Sequence, residues 1–213
     1  MEVALVAKNL LYFLLLFISL TIHEWAHAWV ADKLGDPNPR AMGRVSLNPF
    51  VHVDLMGTII FPIICILLST GFLFGWGKPV AIDAHHFQKP DLGELLAGSA
   101  GIFGNLILCL MCSFILAFVP SLHSLAYAML TLNAFLITFN CLPLPSLDGF
   151  CVCKYFFKFS EKWIRFAECW GFIILLILIN IPIVRHYFSC MVQGIFTFFV
   201  QLSLKLQLLV NEC

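Results

Sequence analysis

The chain has 213 residues, of which 61% are hydrophobic and 11% charged, with a mean hydropathy of +0.96. A water-soluble domain carries about a quarter charged residues, so lipid is expected to cover much of this surface. Formal net charge is zero, which argues against a nucleic-acid partner, because phosphate binding needs a basic surface.

Six segments are apolar enough to be candidate crossings, each of which takes about 20 residues. The first runs from about Val3 to Val30, the second from about Leu55 to Phe74 and the third from Leu92 to Val119. The fourth is Leu122 to about Leu142, the fifth about Trp163 to Val184 and the last about Tyr187 to Val210. The link at 120–121 is short, so the third and fourth segments are expected to form a tight antiparallel hairpin. The polar stretches 31–54 and 75–91 carry Pro37, Pro39, Pro49, Pro79 and Pro90 and read as irregular loops. Because the first apolar stretch also holds the strongest chemical motif, it is expected to stay in the protein rather than be removed as a signal peptide.

The nine cysteines do not read as a disulfide framework. Cys65, Cys109, Cys112, Cys141, Cys169 and Cys190 lie in or beside apolar segments, where a thiol serves as a small hydrophobe. Cys151 and Cys153 form a C-x-C pair, unlike the C-x-x-C of most zinc and redox motifs.

The chemistry is carried by His23-Glu24-Trp25-Ala26-His27, an H-E-x-x-H motif. On a helix, residues four apart share one face about 6 Å apart along the axis. Two imidazoles so placed can bind one zinc ion, with the glutamate between them as general base towards water. A bare match can arise by chance, but ionisable side chains in a long apolar helix are costly unless functional or paired. A catalytic site needs a third protein ligand. His123 at a hairpin turn and His186 after the fifth segment read as interfacial. Asp148 is the stronger choice, in the stretch Asn140-Cys141-Leu142-Pro143-Leu144-Pro145-Ser146-Leu147-Asp148-Gly149. Two prolines break the helix there, so unpaired backbone can line a wet cavity. By itself the stretch also fits an ordinary proline-rich exit loop with a solvated aspartate.

An H-E-x-x-H in an early membrane helix, followed far downstream by N-x-x-P-x-P-x-L-D-G, resembles the site-2 protease family of intramembrane zinc metalloproteases. Ser46-Leu47-Asn48-Pro49, His52-Val53-Asp54, Gly57-Thr58 and Phe74-Gly75-Trp76-Gly77-Lys78-Pro79-Val80 resemble its compact bacterial branch, and the likeness covers about residues 15–150. The resemblance implies His23, His27 and Asp148 as ligands of one zinc ion and Glu24 as the base. It also implies a transmembrane protein or peptide as substrate, cut to release a signalling fragment or to clear signal-peptide remnants. Two departures, Gly101-Ile102-Phe103-Gly104-Asn105 without the family's usual proline and Phe150-Cys151-Val152 after Asp-Gly, bear on helix packing and substrate fit. Asn105 and Asn140 are amide donors that could hold the substrate backbone or oxyanion, or equally could bond between helices. His52, His85 and His86 could gate access or bind substrate, or be solvated loop residues. Trp25 and Trp29 could keep the site dry.

If Asp148 joins the two histidines, the C-terminal ends of the first and fourth segments share one side of the membrane. One intervening segment then does not cross, and 55–74, short and containing Pro62, is the natural exception. That places the loops 31–54, 75–91 and 148–165 on the site's side, with Lys33, Arg40, Arg44, Lys78, Lys89, Lys154, Lys158, Lys162 and Arg165, against Lys8 and Arg185 on the other. The bias puts the site towards the cytoplasm in a cell membrane. The expected fold is therefore an all-α polytopic membrane helical bundle, with about five full transmembrane helices plus one re-entrant or membrane-associated segment. It forms a single membrane-embedded domain, 1–213, with a catalytic core over about 1–150 and C-terminal helices at about 163–210. A metal transporter or metal-binding membrane protein using the same ligands for transit is the alternative, and would call for several ionisable layers across the bilayer.

Overall fold

The computed structural model describes residues 2–67, 75–145, 147–157 and 159–211. Among these residues the chain is helical, without strands. The helices are α1 (Glu2–Leu34), α2 (Asn38–Ala41), α3 (Phe61–Leu67, continuing a π-helical stretch, Leu55–Ile60), α4 (Pro90–Phe118), α5 (His123–Asn140), α6 (Asp148–Phe157), α7 (Glu161–Asn180) and α8 (Pro182–Asn211). Four of them are long and apolar enough to cross a membrane: Ala7–Leu34, Pro90–Phe118, Pro120–Asn140 and Pro182–Val210. The protein is thus a helical membrane protein.

Each boundary has a local cause. α1 ends where Gly35 takes φ +111°, with Gly35 N–H donating to Asp32 O and Asp36 N–H to Ala31 O. This Schellman pairing satisfies the last carbonyls and needs a left-handed residue, which glycine supplies without strain. α4 and α8 begin on proline, whose missing N–H costs nothing in a first turn.

The core is the packing of α1 on α4 and α5, with α8 on the outer side of α4 and α5 and α6 on α4. Leu15, Leu16 and Leu20 of α1 bury against Ala128, Leu132 and Leu136 of α5. Cys109, Cys112 and Leu116 of α4 bury with Ala126, Leu130 and Ile137 of α5 and Phe199 of α8. Polar groups tie these helices where lipid would leave them unpaired. Asn133 Nδ2 donates to Ser19 Oγ at 3.0 Å, and Ser113 Oγ to the Phe199 carbonyl at 2.9 Å. Outward faces carry Leu10, Leu14, Ile18, Phe103, Ile107, Phe114 and Phe198, a surface suited to lipid. Cys109 and Cys112 are buried free thiols and Cys65 is buried as well, as small core hydrophobes would be.

The order of contacts fixes direction. His27 meets Ala97 and Ile22 meets Gly104, so α1 and α4 run antiparallel. α5 returns along α4 after the tight link, and therefore runs with α1. The second segment accounts for this. Trp76 N–H donates to Gly57 O at 3.2 Å and Thr58 Oγ1 to Trp76 O at 2.7 Å. The chain thus comes back at 75–76 to the point it left at 57–58; residues 68–74 of this segment lie outside the described residues.

Two expectations change at the C-terminal end. The stretch after Asp148, read as loop, is helix α6 up to Phe157. Phe188 packs on Phe135 and Tyr127 on Phe196, while Gln207 reaches the carbonyls of Leu116 and Ala117. α8 therefore runs antiparallel to α5, and its joint with α7 at Ile181–Pro182 lies at the site end of the bundle. α7 starts there too, with Trp163 stacked near Phe150. The fifth full crossing expected at Trp163–Val184 is not among the four apolar spans, and Arg185 moves to the site's side.

Candidate metal centre

The site forms where the C-terminal half of α1, the N-terminal half of α4, the end of α5 and the start of α6 meet. His23 and His27 lie one turn apart on α1, with their Nε2 atoms 3.2 Å from each other. Asp148 opens α6 and brings Oδ2 to 3.6 Å from His23 Nε2 and Oδ1 to 3.4 Å from His27 Nε2. The ligand atoms of all three residues lie within 4.8 Å of one another, the only such group of three or more among the described residues. The turn before α6 is held by Phe150 N–H donating to Leu147 O and Leu147 N–H to Leu144 O.

These residues fit a metal ion. Three donors bound tetrahedrally at about 2.05 Å would stand roughly 3.3 Å apart, close to the separations observed. His27 Nδ1 is 2.7 Å from the Ala97 carbonyl, which can only accept, so Nδ1 carries the proton and Nε2 presents a lone pair inward. Asp148 Oδ2 is buried and accepts no hydrogen bond. A nearly dry cluster of acceptors lacking donors suits a cation.

α4 approaches this cluster through Gly101. A Cβ at Gly101 would fall 2.4 Å from both His23 Cε1 and His27 Nε2. Only a residue without a side chain lets α4 come so near. Gly77 plays the same part for Glu24, since a Cβ there would lie 2.8 Å from Glu24 Cγ and 3.0 Å from Oε1. On its other side Glu24 Oε2 is 3.9 Å from Arg44 Nη2, a guanidinium only 4% exposed.

A cleft of about 520 Å3 opens onto the centre. Its walls include Leu20, Leu136, Phe139 and Leu175, the extended segment 75–82, and the polar groups His23, Glu24, His27, Asn140 and Asp148. Asn140 borders the cleft, although its Nδ2 donates to Leu136 O within α5. Asn105 does not border it. It is wholly buried one turn beyond Gly101, with neither amide atom hydrogen-bonded. Trp76, not Trp25 or Trp29, is the tryptophan in the cleft wall.

The loop histidines separate. His52 is buried and its Nε2 donates to Ser46 O at 2.7 Å, so it braces its loop; burial pushes its pKa below the usual value. His86 is partly exposed and faces Asp36 and Asp83 at 3.7 and 3.4 Å. Cys151, beside Gly98 at the edge of the cleft, has its thiol pushed up to about 11 by burial, with Glu94 and Asp148 adding to the shift.

Arg44, Gly77 and Gly101 were not singled out as site residues from the sequence. The run Gly98, Gly101, Gly104 was the available signal, since small residues three apart line one face of a helix.

No protein-family model and no solved structure matches the chain. Among curated proteins it is 36% identical over 184 residues to "Putative zinc metalloprotease YwhC" of Bacillus subtilis, covering 79% of each chain. It is 27% identical over 187 residues to "Putative zinc metalloprotease Rip2" of Mycolicibacterium smegmatis, covering 85% of this chain and 71% of that one. The Rip2 of Mycobacterium tuberculosis strain H37Rv is also 27% identical, over 84% of this chain and 70% of its own. On its likeness to YwhC across most of both chains, the protein belongs to that family of zinc metalloproteases.

Proposed function

We propose that this protein is a zinc-dependent intramembrane endopeptidase of the site-2 protease type, cutting membrane protein substrates within or near their transmembrane segments. The observation that carries the reading is the convergence of His23, His27 and Asp148 beside Glu24, within a bundle of membrane helices and at the floor of a largely apolar cleft. His23 and His27 through Nε2 and Asp148 through its carboxylate would hold one zinc ion. Bound there, zinc supplies Lewis-acid polarisation of a carbonyl and lowers the pKa of water to about 7.

The chain's own residues do the rest. Glu24 takes the proton of the attacking water and passes it to the leaving amine. A helical substrate hides its carbonyls in hydrogen bonds, so it must unwind locally before attack. The apolar walls at Leu20, Leu136, Phe139 and Leu175 receive the unwound segment and exclude bulk water. Asn140, at the cleft, is the better placed of the two asparagines to contact its backbone.

The basic residues of the site side face the cytoplasm in this reading, with the protein in the cell membrane. Lys33, Arg40, Arg44, Lys78, Lys89, Lys154, Lys162, Arg165 and Arg185 lie there, against Lys8 and Lys205 opposite. A transport role finds no support, since among the described residues the ligating groups form one layer.

The deciding experiment measures zinc per chain and cleavage of a transmembrane substrate for wild type, Asp148→Ala and Glu24→Gln. About one zinc in wild type and Glu24→Gln, little in Asp148→Ala, and cleavage by wild type alone are expected. Full zinc in Asp148→Ala, or cleavage by Glu24→Gln at the wild-type rate, would overturn the assignment.

A further inference from the structure

A guanidinium is expensive to bury unless its donors find acceptors. Arg44 is buried, and its acceptors come from three separate parts of the chain. Nη1 donates to Val51 O at 2.7 Å, Nη2 donates to Lys78 O, and Nη2 also lies 3.9 Å from Glu24 Oε2. Val51 belongs to the loop that precedes the second apolar segment. Lys78 belongs to the stretch that leaves it, directly after the Gly77 that packs on Glu24. Only a planar fork with several fixed donors can satisfy acceptors arranged in this way.

We propose that Arg44 is a positioning residue for Glu24, an inference that rests on the protease reading above. The two carboxylate oxygens of Glu24 have different surroundings. Oε2 faces Arg44, while Oε1 lies on the side of Gly77, which borders the cleft. Arg44 engages Oε2 and so leaves Oε1 as the oxygen that receives a proton. Because the same guanidinium bonds the carbonyls of Val51 and Lys78, the aim of the base is tied to the backbone at both of these positions. Arg44 itself does not border the cleft and acts through Glu24.

The test uses full-length protein in detergent with Arg44→Gln, Arg44→Lys and, as a loop control, Asn48→Ala. Asn48 Oδ1 accepts from Phe50 N–H, so its loss loosens the turn that carries Val51 without touching Glu24. Arg44→Gln should lower kcat by about tenfold or more, a fraction of the 10²–10⁴ a positioned base contributes. KM should change little, and zinc should stay near one per chain. Arg44→Lys should recover part of kcat, and Asn48→Ala should keep it. A readout independent of activity is the melting temperature, whose fall on Arg44→Gln should shrink when Glu24 is already Gln. Unchanged kcat in Arg44→Gln, zinc loss in both Arg44 variants, an equal kcat loss in Asn48→Ala, or additive melting shifts would each overturn the proposal. Absence of zinc or cleavage in wild type would instead count against the protease reading, and the melting cycle would still judge the Arg44–Glu24 contact.

Discussion

Replacing Gly101 by alanine should cost more zinc affinity than its size suggests. The added Cβ would lie 2.4 Å from His23 Cε1 and His27 Nε2, where ordinary contact begins at 3.4 Å. About 1 Å of separation must therefore be found. Turning the imidazoles aside moves two donors from a centre that tolerates about 0.2 Å. Backing α4 away from α1 instead stretches the 2.7 Å contact between His27 Nδ1 and the Ala97 carbonyl, which orients that ring. Loss of an orienting contact alone costs about 10–100-fold in metal affinity. Because two ligands are displaced together, the upper end applies, about 100-fold or near 2.8 kcal/mol. Helix propensity works in the opposite direction, since alanine is favoured over glycine by about 1 kcal/mol in a helix, so weaker zinc binding could not be blamed on a weaker α4. Gly104→Ala is the control. Its Cβ would meet Ala26 Cβ at 3.2 Å and Ile22 O at 3.3 Å, needing a few tenths of an ångström and leaving affinity within about threefold. The assay is competition for zinc against a chelating dye in detergent. A Gly101→Ala dissociation constant within about threefold of wild type would refute the close approach of α4 to the ligands.

Glu24→Gln should retain its zinc while cleavage falls by roughly 10²–10⁴, the usual share of a general base; zinc loss in this variant would make Glu24 a ligand instead. Burial lowers the folded-state pKa of His52 below the ordinary histidine value of about 6.5, so the unfolded chain takes up a proton first as pH falls. Stability should therefore be lost as pH drops below about 6.5, and His52→Gln should flatten melting temperature between about pH 7.5 and 5.5; an unchanged slope would sink this. Cys151 should resist maleimide at pH 7.5 in a variant holding only that cysteine, because burial raises its thiol to about 11, and denaturation should restore labelling; fast labelling of the folded protein would contradict the packing against Gly98. Cysteines placed at Met42 and His85 should label from one face of sealed vesicles and a cysteine at Lys205 from the other; labelling of Met42 and His85 from opposite faces would refute a second segment that does not cross.

The parts of this molecule that declare themselves in sequence are those written as repeated side chains. Long apolar runs marked α1, α4, α5 and α8 to within a few residues. The four-residue spacing of His23 and His27 placed two imidazoles on one face, and the proline-broken turn pointed to Asp148. Requiring those three to meet called for a second segment that does not cross, and Trp76 is found bonded back at Gly57 and Thr58. α6 escaped because Lys154 and Lys158 made it look like loop. Yet Asp148 begins that helix, where a carboxylate is favoured by the helix dipole, so the residue that starts α6 is also the one brought within reach of His23 and His27. The turn at Ile181–Pro182 escaped because apolar length records that a helix exists, not the direction it takes after a break. Arg44 looked like one more cation of a basic loop, since what distinguishes it is the carbonyls of Val51 and Lys78, which belong to backbone and leave no mark in residue identity. Gly77 and Gly101 were hidden more deeply. Their contribution is a missing atom, and an absence acquires meaning only once the neighbour that fills the space is known. A metal centre reached by two close backbone approaches will for that reason show its ligands in sequence and conceal what holds them in place.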